Sequence, residues 1–192
     1  KYWHDFFNYA GIHRDVWLCS RPHAHVEDVT ITTNIDGGDG IVTWSVLSHN
    51  ADLLATRVTI FDDEGNVVAE ETGANAQTRI PSVHLWQPGQ GYLYEAEISL
   101  VNGDEVIDAY RQAFGVRTIR VDGTRLLING EPVYLTGFGM HEDHQTIGKA
   151  HNDALMLRDA ACLEWVGANS LRTSHYPYSE HILDYADRHG LL

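Results

Sequence analysis

Within residues 21–118 the apolar positions recur at every second residue in short runs, and turn residues interrupt them about every ten positions, as in an antiparallel β-sandwich. Val26 to Ile35 carries Val29 and Ile31; Val42, Trp44 and Val46 alternate with polar partners; Val58 and Ile60 lead into Asp62-Asp63-Glu64-Gly65-Asn66. Each run predicts a strand with one buried face. Tyr92, Tyr94, Ala96, Ile98 and Leu100 share a face of the clearest strand, Asn102-Gly103 supplies a tight hairpin, and Val106 to Val116 returns. About seven strands in roughly 95 residues predict an immunoglobulin-like sandwich.

The period changes near residue 118. Ile119 to Val121 and Leu126 to Ile128 read as short strands, punctuated by Asp122-Gly123 and Asn129-Gly130, and Val133 to Phe138 as a compact apolar strand. Asn152 is placed to cap a helix whose Met156, Ala160, Leu163 and Val166 fall at helical spacing, and Gly167 to end it. Asn169 to Thr173 is the next strand, Ser179 to His189 the next helix with Gly190 as its stop, and Leu191-Leu192 opens a third strand. A β-α-β-α-β run of this length predicts an open parallel sheet or the first units of a (β/α)8 barrel, and either needs more chain than follows. Leu155, Met156, Leu163, Ile182 and Leu183 are therefore expected to be partly exposed or covered by neighbouring molecules. Residues 1–20 fit neither pattern: Lys1 to Phe7 is dense in aromatics, and Val16-Trp17-Leu18-Cys19 looks strand-like. The expected order is thus the tail of an earlier domain over 1–20, the sandwich over 21–118 and an incomplete parallel α/β unit over 119–192, mainly β in class and interrupted at both ends.

Charge narrows the partners. With 13 Lys+Arg against 27 Asp+Glu the formal charge is −14, so nucleic acid and anionic membrane surfaces are not expected to bind. A 43% hydrophobic content supports a real core, and 21% charged residues are too few for a disordered chain. No run approaches the roughly 18 apolar residues of a spanning helix. Cys19 and Cys162 lie far apart and are expected to be reduced core thiols.

Two strand ends carry candidate chemistry. Asn169 to Pro177 delivers Arg172, Ser174 and His175 to the C-terminal end of a strand, where parallel α/β folds place their sites. Spacing alone leaves a second reading open, a strand end satisfied by local hydrogen bonds. Gly139-Met140-His141-Glu142-Asp143-His144 follows the preceding strand in the same way and suggests a site wall, with an ordinary solvated loop as the alternative. A metal site there is not expected, because its two histidines are three apart in a loop rather than four apart on a helix. Asp5, among Trp3, His4, Phe6 and Phe7, suits sugar recognition by ring stacking and hydroxyl hydrogen bonds, but from the residues alone packing at a domain boundary is the better reading of the aromatics. Trp86, before the turn Gln87-Pro88-Gly89, reads as core or inter-domain packing.

Several segments together resemble glycoside hydrolase family 2, most closely its glucuronide-cleaving branch. Asn169 to Pro177, continuing through Asp184 to Leu192, resembles the family's barrel signature. Asp5 to Arg14 resembles the end of its sugar-binding jelly roll, His84 to Glu95 its sandwich, and Phe138 to Asp143 its first barrel strand and loop. The resemblance implies an immunoglobulin-like sandwich followed by the start of a (β/α)8 barrel, with residues 1–20 ending a jelly roll. It also implies retaining hydrolysis of terminal β-D-glucuronides by two Glu residues about 5–5.5 Å apart. The family's acid/base follows an Asn, in an Asn-Glu pair at the end of a later strand, and its nucleophile lies further on; Glu142 and Glu164 do not fit, so no catalytic residue is assigned. Carried over are four substrate-binding residues, Asp5, His141, Arg172 and His175, while Met140 stands where relatives often have a polar side chain. No cofactor or metal is implied. The full-length protein is expected to be a cytoplasmic homo-oligomer. The alternatives are a β-galactosidase-type member of the same family and a non-catalytic sandwich module that binds carbohydrate or protein.

Overall fold

The computed structural model describes residues 10–192, so Asp5 and the aromatic cluster around it lie outside the described residues. Seven antiparallel strands form the sandwich: β1 (His25–Asp36), β2 (Asp39–His49), β3 (Ala55–Phe61), β4 (Val67–Thr72), β5 (Asn75–Ile80), β6 (Tyr94–Asn102) and β7 (Glu105–Phe114). One sheet has the order β1-β2-β5 and the other β4-β3-β6-β7, the three-plus-four arrangement of an immunoglobulin-like fold. The alternation read from sequence is what closes it. Val42, Trp44 and Val46 of β2 point inward against Val58 and Ile60 of β3 and Ala96, Ile98 and Leu100 of β6, all buried. Polar groups at the core margin are paired: the Trp44 indole donates to the Gly73 carbonyl at 3.0 Å, and the Tyr94 hydroxyl accepts the His84 N–H at 2.9 Å. Tyr92 stands just ahead of β6 instead of within it, its hydroxyl donating to Asp63 at 2.7 Å.

Beyond the sandwich, β8 (Ile119–Asp122), β9 (Arg125–Ile128) and β10 (Glu131–Val133) form a small antiparallel sheet, and β11 (Gly137–Met140), α1 (Asp153–Trp165), β12 (Ser170–Thr173) and α2 (Glu180–His189) follow. β11 and β12 pair in parallel, Gly137 opposite Ser170 and Met140 opposite Thr173, so β11-α1-β12 is one barrel-type unit. Asn152 caps α1 as the sequence predicts, while Ser179, expected as the first helical residue, is the cap of α2. Asn152 Oδ1 accepts the Leu155 N–H at 3.1 Å and Ser179 Oγ accepts that of His181 at 3.4 Å. At the far end of α1, Gly167 donates to Glu164 and Ala168 to Leu163, both at 2.9 Å, the pairing that closes a helix.

Several expectations are corrected. The run Val133 to Phe138 is not one strand: Val133 pairs back onto Leu126 of β9, and the next strand begins at Gly137. Asn169 explains the break. Its side chain accepts the Thr136 N–H at 2.8 Å and donates to the Tyr134 carbonyl at 2.9 Å, taking those backbone groups out of any ladder. Leu191-Leu192 is not a strand, although Leu192 bridges Asn169 and Leu171 of β12 by two backbone bonds of 3.0 and 2.8 Å. Val16 to Cys19 forms no strand and is exposed. Cys19 and Cys162 are both free thiols but exposed, not core: Cys19 lies in that uncovered segment and Cys162 on a face of α1 that the buried Ala160 and Leu163 do not share. Val166 is likewise exposed, because the helix has already ended there. Of the barrel residues expected to be partly exposed, Leu163 and Ile182 are buried, Leu155 and Met156 are half-buried and Leu183 is exposed. Among the described residues no helix is long and apolar enough to cross a membrane.

Trp86 joins the two regions. It is 1% exposed, its indole N–H donates to the Asp187 carbonyl in α2 at 2.7 Å, and the Arg117 guanidinium lies over its ring at 4.2 Å. Asn129 Nδ2 donates to the Trp86 carbonyl at 2.9 Å, which ties the small sheet to the same point. Around it the contact is backbone on backbone. The Gly89 N–H donates to the Gly190 carbonyl at 2.9 Å, and a Cβ on Gly91 or Gly190 would run into main-chain atoms of Asp187–Arg188 or Gln87–Gln90. Gly190 also has a left-handed φ of 70°, which closes α2.

Candidate functional site

The parallel pair β11 and β12 ends where two loops begin, and the site is built there. Ser174 extends the pairing with an N–H to the Met140 carbonyl at 3.3 Å and is itself buried. His141 and His175 then leave adjacent strand ends with their ring centroids 5.7 Å apart. His175 has φ 62°, a left-handed conformation that costs a residue with a Cβ of order 1 kcal/mol or more and marks a backbone bent to place its side chain.

Two tyrosines fix the opposite wall. Tyr176 packs beside His141 at 5.8 Å, its hydroxyl lying 3.4 Å from His141 Nδ1 and accepting the Glu142 N–H at 2.7 Å. Tyr178 stacks on Tyr176 at 5.2 Å and its hydroxyl donates to the Met140 carbonyl. Met140 therefore contributes its backbone to this wall. Burial, followed by the hydrogen bond with Tyr176, raises the Tyr178 hydroxyl pKa well above the usual phenol value, so Tyr178 stays a donor at any physiological pH.

Glu142 is a brace. Its side chain, 12% exposed, pairs with Arg14 and accepts the Ser179 N–H at 3.2 Å, while Arg14 also donates to the Lys149 carbonyl at 2.9 Å. One carboxylate thus ties the 10–24 segment, the loop after β11 and the start of α2 together, and both its oxygens are engaged. Lys149 sits 3.6 Å over the Tyr176 ring, a cation-π contact. Asp143 Oδ2 lies 3.9 Å from His141 Nδ1, and its other oxygen is buried with no hydrogen-bond partner among the described residues. A cleft of about 620 Å³ opens beside Tyr176, walled by Arg14, Trp17, Lys149 and Tyr178.

Of the residues singled out from sequence, His141 and His175 are brought together. Arg172 is exposed on β12, opposite Gly139, and its side chain makes no ion pair or hydrogen bond among the described residues. The solvated-loop alternative for Gly139 to His144 does not describe Glu142 and Asp143, which are largely covered. Sequence reasoning missed Tyr176, Tyr178, Arg14 and Lys149. The Tyr-x-Tyr spacing directly after His175 was the available signal for the first two; Arg14 and Lys149 reach the site only through long-range folding. The side chains that could jointly hold a cation among the described residues lie outside this loop, at His151, Asp153 and His181.

The arrangement offers imidazole donors and acceptors beside aromatic faces, a surface suited to a polyhydroxylated ring, with its one well-covered glutamate already committed to structure. Two family models match the chain: residues 24–117 match "Glycosyl hydrolases family 2" and residues 119–192 match "Glycosyl hydrolases family 2, TIM barrel domain". The chain is 41% identical to a β-glucuronidase of Paenibacillus borealis over its whole length, and 39% identical to the rat β-glucuronidase over 98% of it. It spans about a third of the length of those relatives, 32% and 30% respectively. A solved structure of a β-glucuronidase from Ruminococcus gnavus in complex with D-glucuronic acid superposes with a TM-score of 0.95 at 39% identity, covering 98% of this chain and 33% of that one. With the sandwich and the first parallel strands matched in order and in shape, the chain belongs to glycosyl hydrolase family 2.

Proposed function

We propose that this chain is part of a retaining β-glucuronidase and forms one wall of its sugar subsite through Asp5, His141, Arg172 and His175. The observation that carries the reading is the likeness to a glucuronic acid complex over nearly the whole chain, which includes both strand ends that present His141 and His175. In this role the two imidazoles exchange hydrogen bonds with ring hydroxyls, Tyr176 and Asp143 hold His141 in position, and the bent backbone at His175 aims the second ring. Retaining cleavage needs a carboxyl that protonates the leaving oxygen and a carboxylate that attacks the anomeric carbon. Glu142 serves neither purpose, since Arg14 and Ser179 occupy its oxygens. Glu164 accepts from Tyr185 at 2.7 Å on the outer helices. The catalytic pair comes from the remainder of the protein.

The test is turnover of a chromogenic β-glucuronide by the whole protein. A hydrogen bond to a charged group contributes about 1.5–3 kcal/mol, so His175→Ala, His141→Ala and Asp5→Ala should each lower kcat/KM by roughly ten- to a hundredfold, with Asp5→Asn milder than Asp5→Ala. Faster turnover of the matching β-galactoside would overturn the substrate assignment. Unchanged kcat/KM in a folded His175→Ala enzyme would overturn the subsite. The isolated 192-residue chain should show no turnover.

A further inference from the structure

We propose that His151, Asp153 and His181 form a binding site for a divalent transition-metal ion of the zinc class, which clips the start of α1 to the start of α2. The three ligand atoms lie within 4.8 Å of one another. They converge on one carboxylate oxygen: Asp153 Oδ1 is 2.5 Å from His151 Nε2 and 3.5 Å from His181 Nδ1. Two imidazole nitrogens and one carboxylate oxygen are the donors that zinc takes, whereas magnesium and calcium require oxygens throughout. Three protein ligands leave a fourth position for water.

The ligands are held from both sides. His151, the most covered of the three, directly precedes the cap Asn152, and Asp153 is the first residue of α1. His181 stands in the first turn of α2, whose cap Ser179 is tied to Glu142. Two helix N-termini repel a cation. Asp153 offsets this by placing a carboxylate oxygen within reach of both rings. The two rings are stacked, with centroids 4.7 Å apart and planes 15° from parallel. Parallel rings cannot both aim their nitrogens at one ion, so binding must turn the half-exposed His181 ring out of the stack. His141 and His144, three apart in their loop, take no part in this cluster.

The test is a titration of the whole protein, stripped with a chelator, with zinc chloride alone by calorimetry. We expect His151→Ala and His181→Ala each to lose one equivalent of zinc, or to weaken that equivalent at least about tenfold, while His49→Ala on the sandwich binds like the parent. The His151 and His181 ring resonances should move together at that equivalent as the stack opens. Should an alanine variant not fold, Asp153→Asn, which keeps the shape of the side chain, is read in its place and should lose the same equivalent. Parent-like zinc binding in folded variants, an equal loss in His49→Ala, or no zinc uptake by the parent would each overturn the site.

Discussion

The sandwich and the barrel segment contrast in how each covers its apolar face. In the sandwich each sheet covers the other, so Ile98 and Leu100 of β6 have no exposed surface and the core is continuous from Val26 to Val116. In the segment from Ile119 onward β11 has a single neighbour, and Phe138 at its centre is 58% exposed, with Tyr134, Leu135, Leu157 and Trp165 also open. Local order does not suffer: caps, helix ends and a clasp between the helices are all in place. The Tyr185 hydroxyl, its pKa pushed up to about 12 first by burial and then by its hydrogen bond, donates to Glu164 and ties α2 to α1. Secondary structure and capping are thus written locally, while the burial of a parallel sheet depends on strands and helices around the entire barrel.

Loss of the joint between the two regions should destabilise the protein most. Trp86→Ala removes a buried ring, its bond to Asp187 and the seat of Arg117, and should cost about 3–5 kcal/mol in urea denaturation. Hydrogen exchange should rise in both regions together; a rise confined to the sandwich would show that the barrel segment does not depend on the joint. The next substitutions sharpen the contrast itself. Ile98→Ala should cost about 2–5 kcal/mol, whereas Phe138→Ala in this chain should cost under about 1 kcal/mol because the ring is mostly wet already. Equal costs would mean that Phe138 is covered in solution.

The smallest effect is a pH dependence confined to the sandwich. The Asn66 side chain, then backbone N–H groups, hold the Asp62 carboxyl below its ordinary 3.8. The ionised form is therefore favoured on folding, and the stability it contributes is present above that value and lost as pH falls through and below it. Asp62→Asn should flatten the fall in melting temperature between about pH 5 and pH 3 slightly, since most of the turn is exposed to solvent. An unchanged slope would show that Asp62 only shapes the turn.

Much of this was legible in the residues. Val42-x-Trp44-x-Val46 gave its own inward face, and Asn152, Ser179 and Gly190 marked helix ends, because alternation and capping act over a few residues. The division of Val133 to Phe138 was not legible, since the Asn169 side chain that breaks it arrives from 33 residues away. The thiols misled because residue type says only that a cysteine is often buried, and neither Cys19 nor Cys162 has a packed neighbour face to enter. At the candidate site the strand-end histidines could be found from position alone. The left-handed backbone of His175 and the bracing of Glu142 by Arg14 could not, because both are products of the assembled fold.

The joint around Trp86 has a consequence for how such a sequence can change over generations. Its two surfaces meet main chain to main chain at Gly89, Gly91 and Gly190, so side chains around it other than Trp86, Arg117 and Asn129 are free to vary in identity without touching that main-chain contact. A single added methyl at Gly91 or Gly190 has no such freedom, because it must push one backbone off the other. Inheritance of the angle thus rests on the Trp86 ring and on a few atoms that are not there.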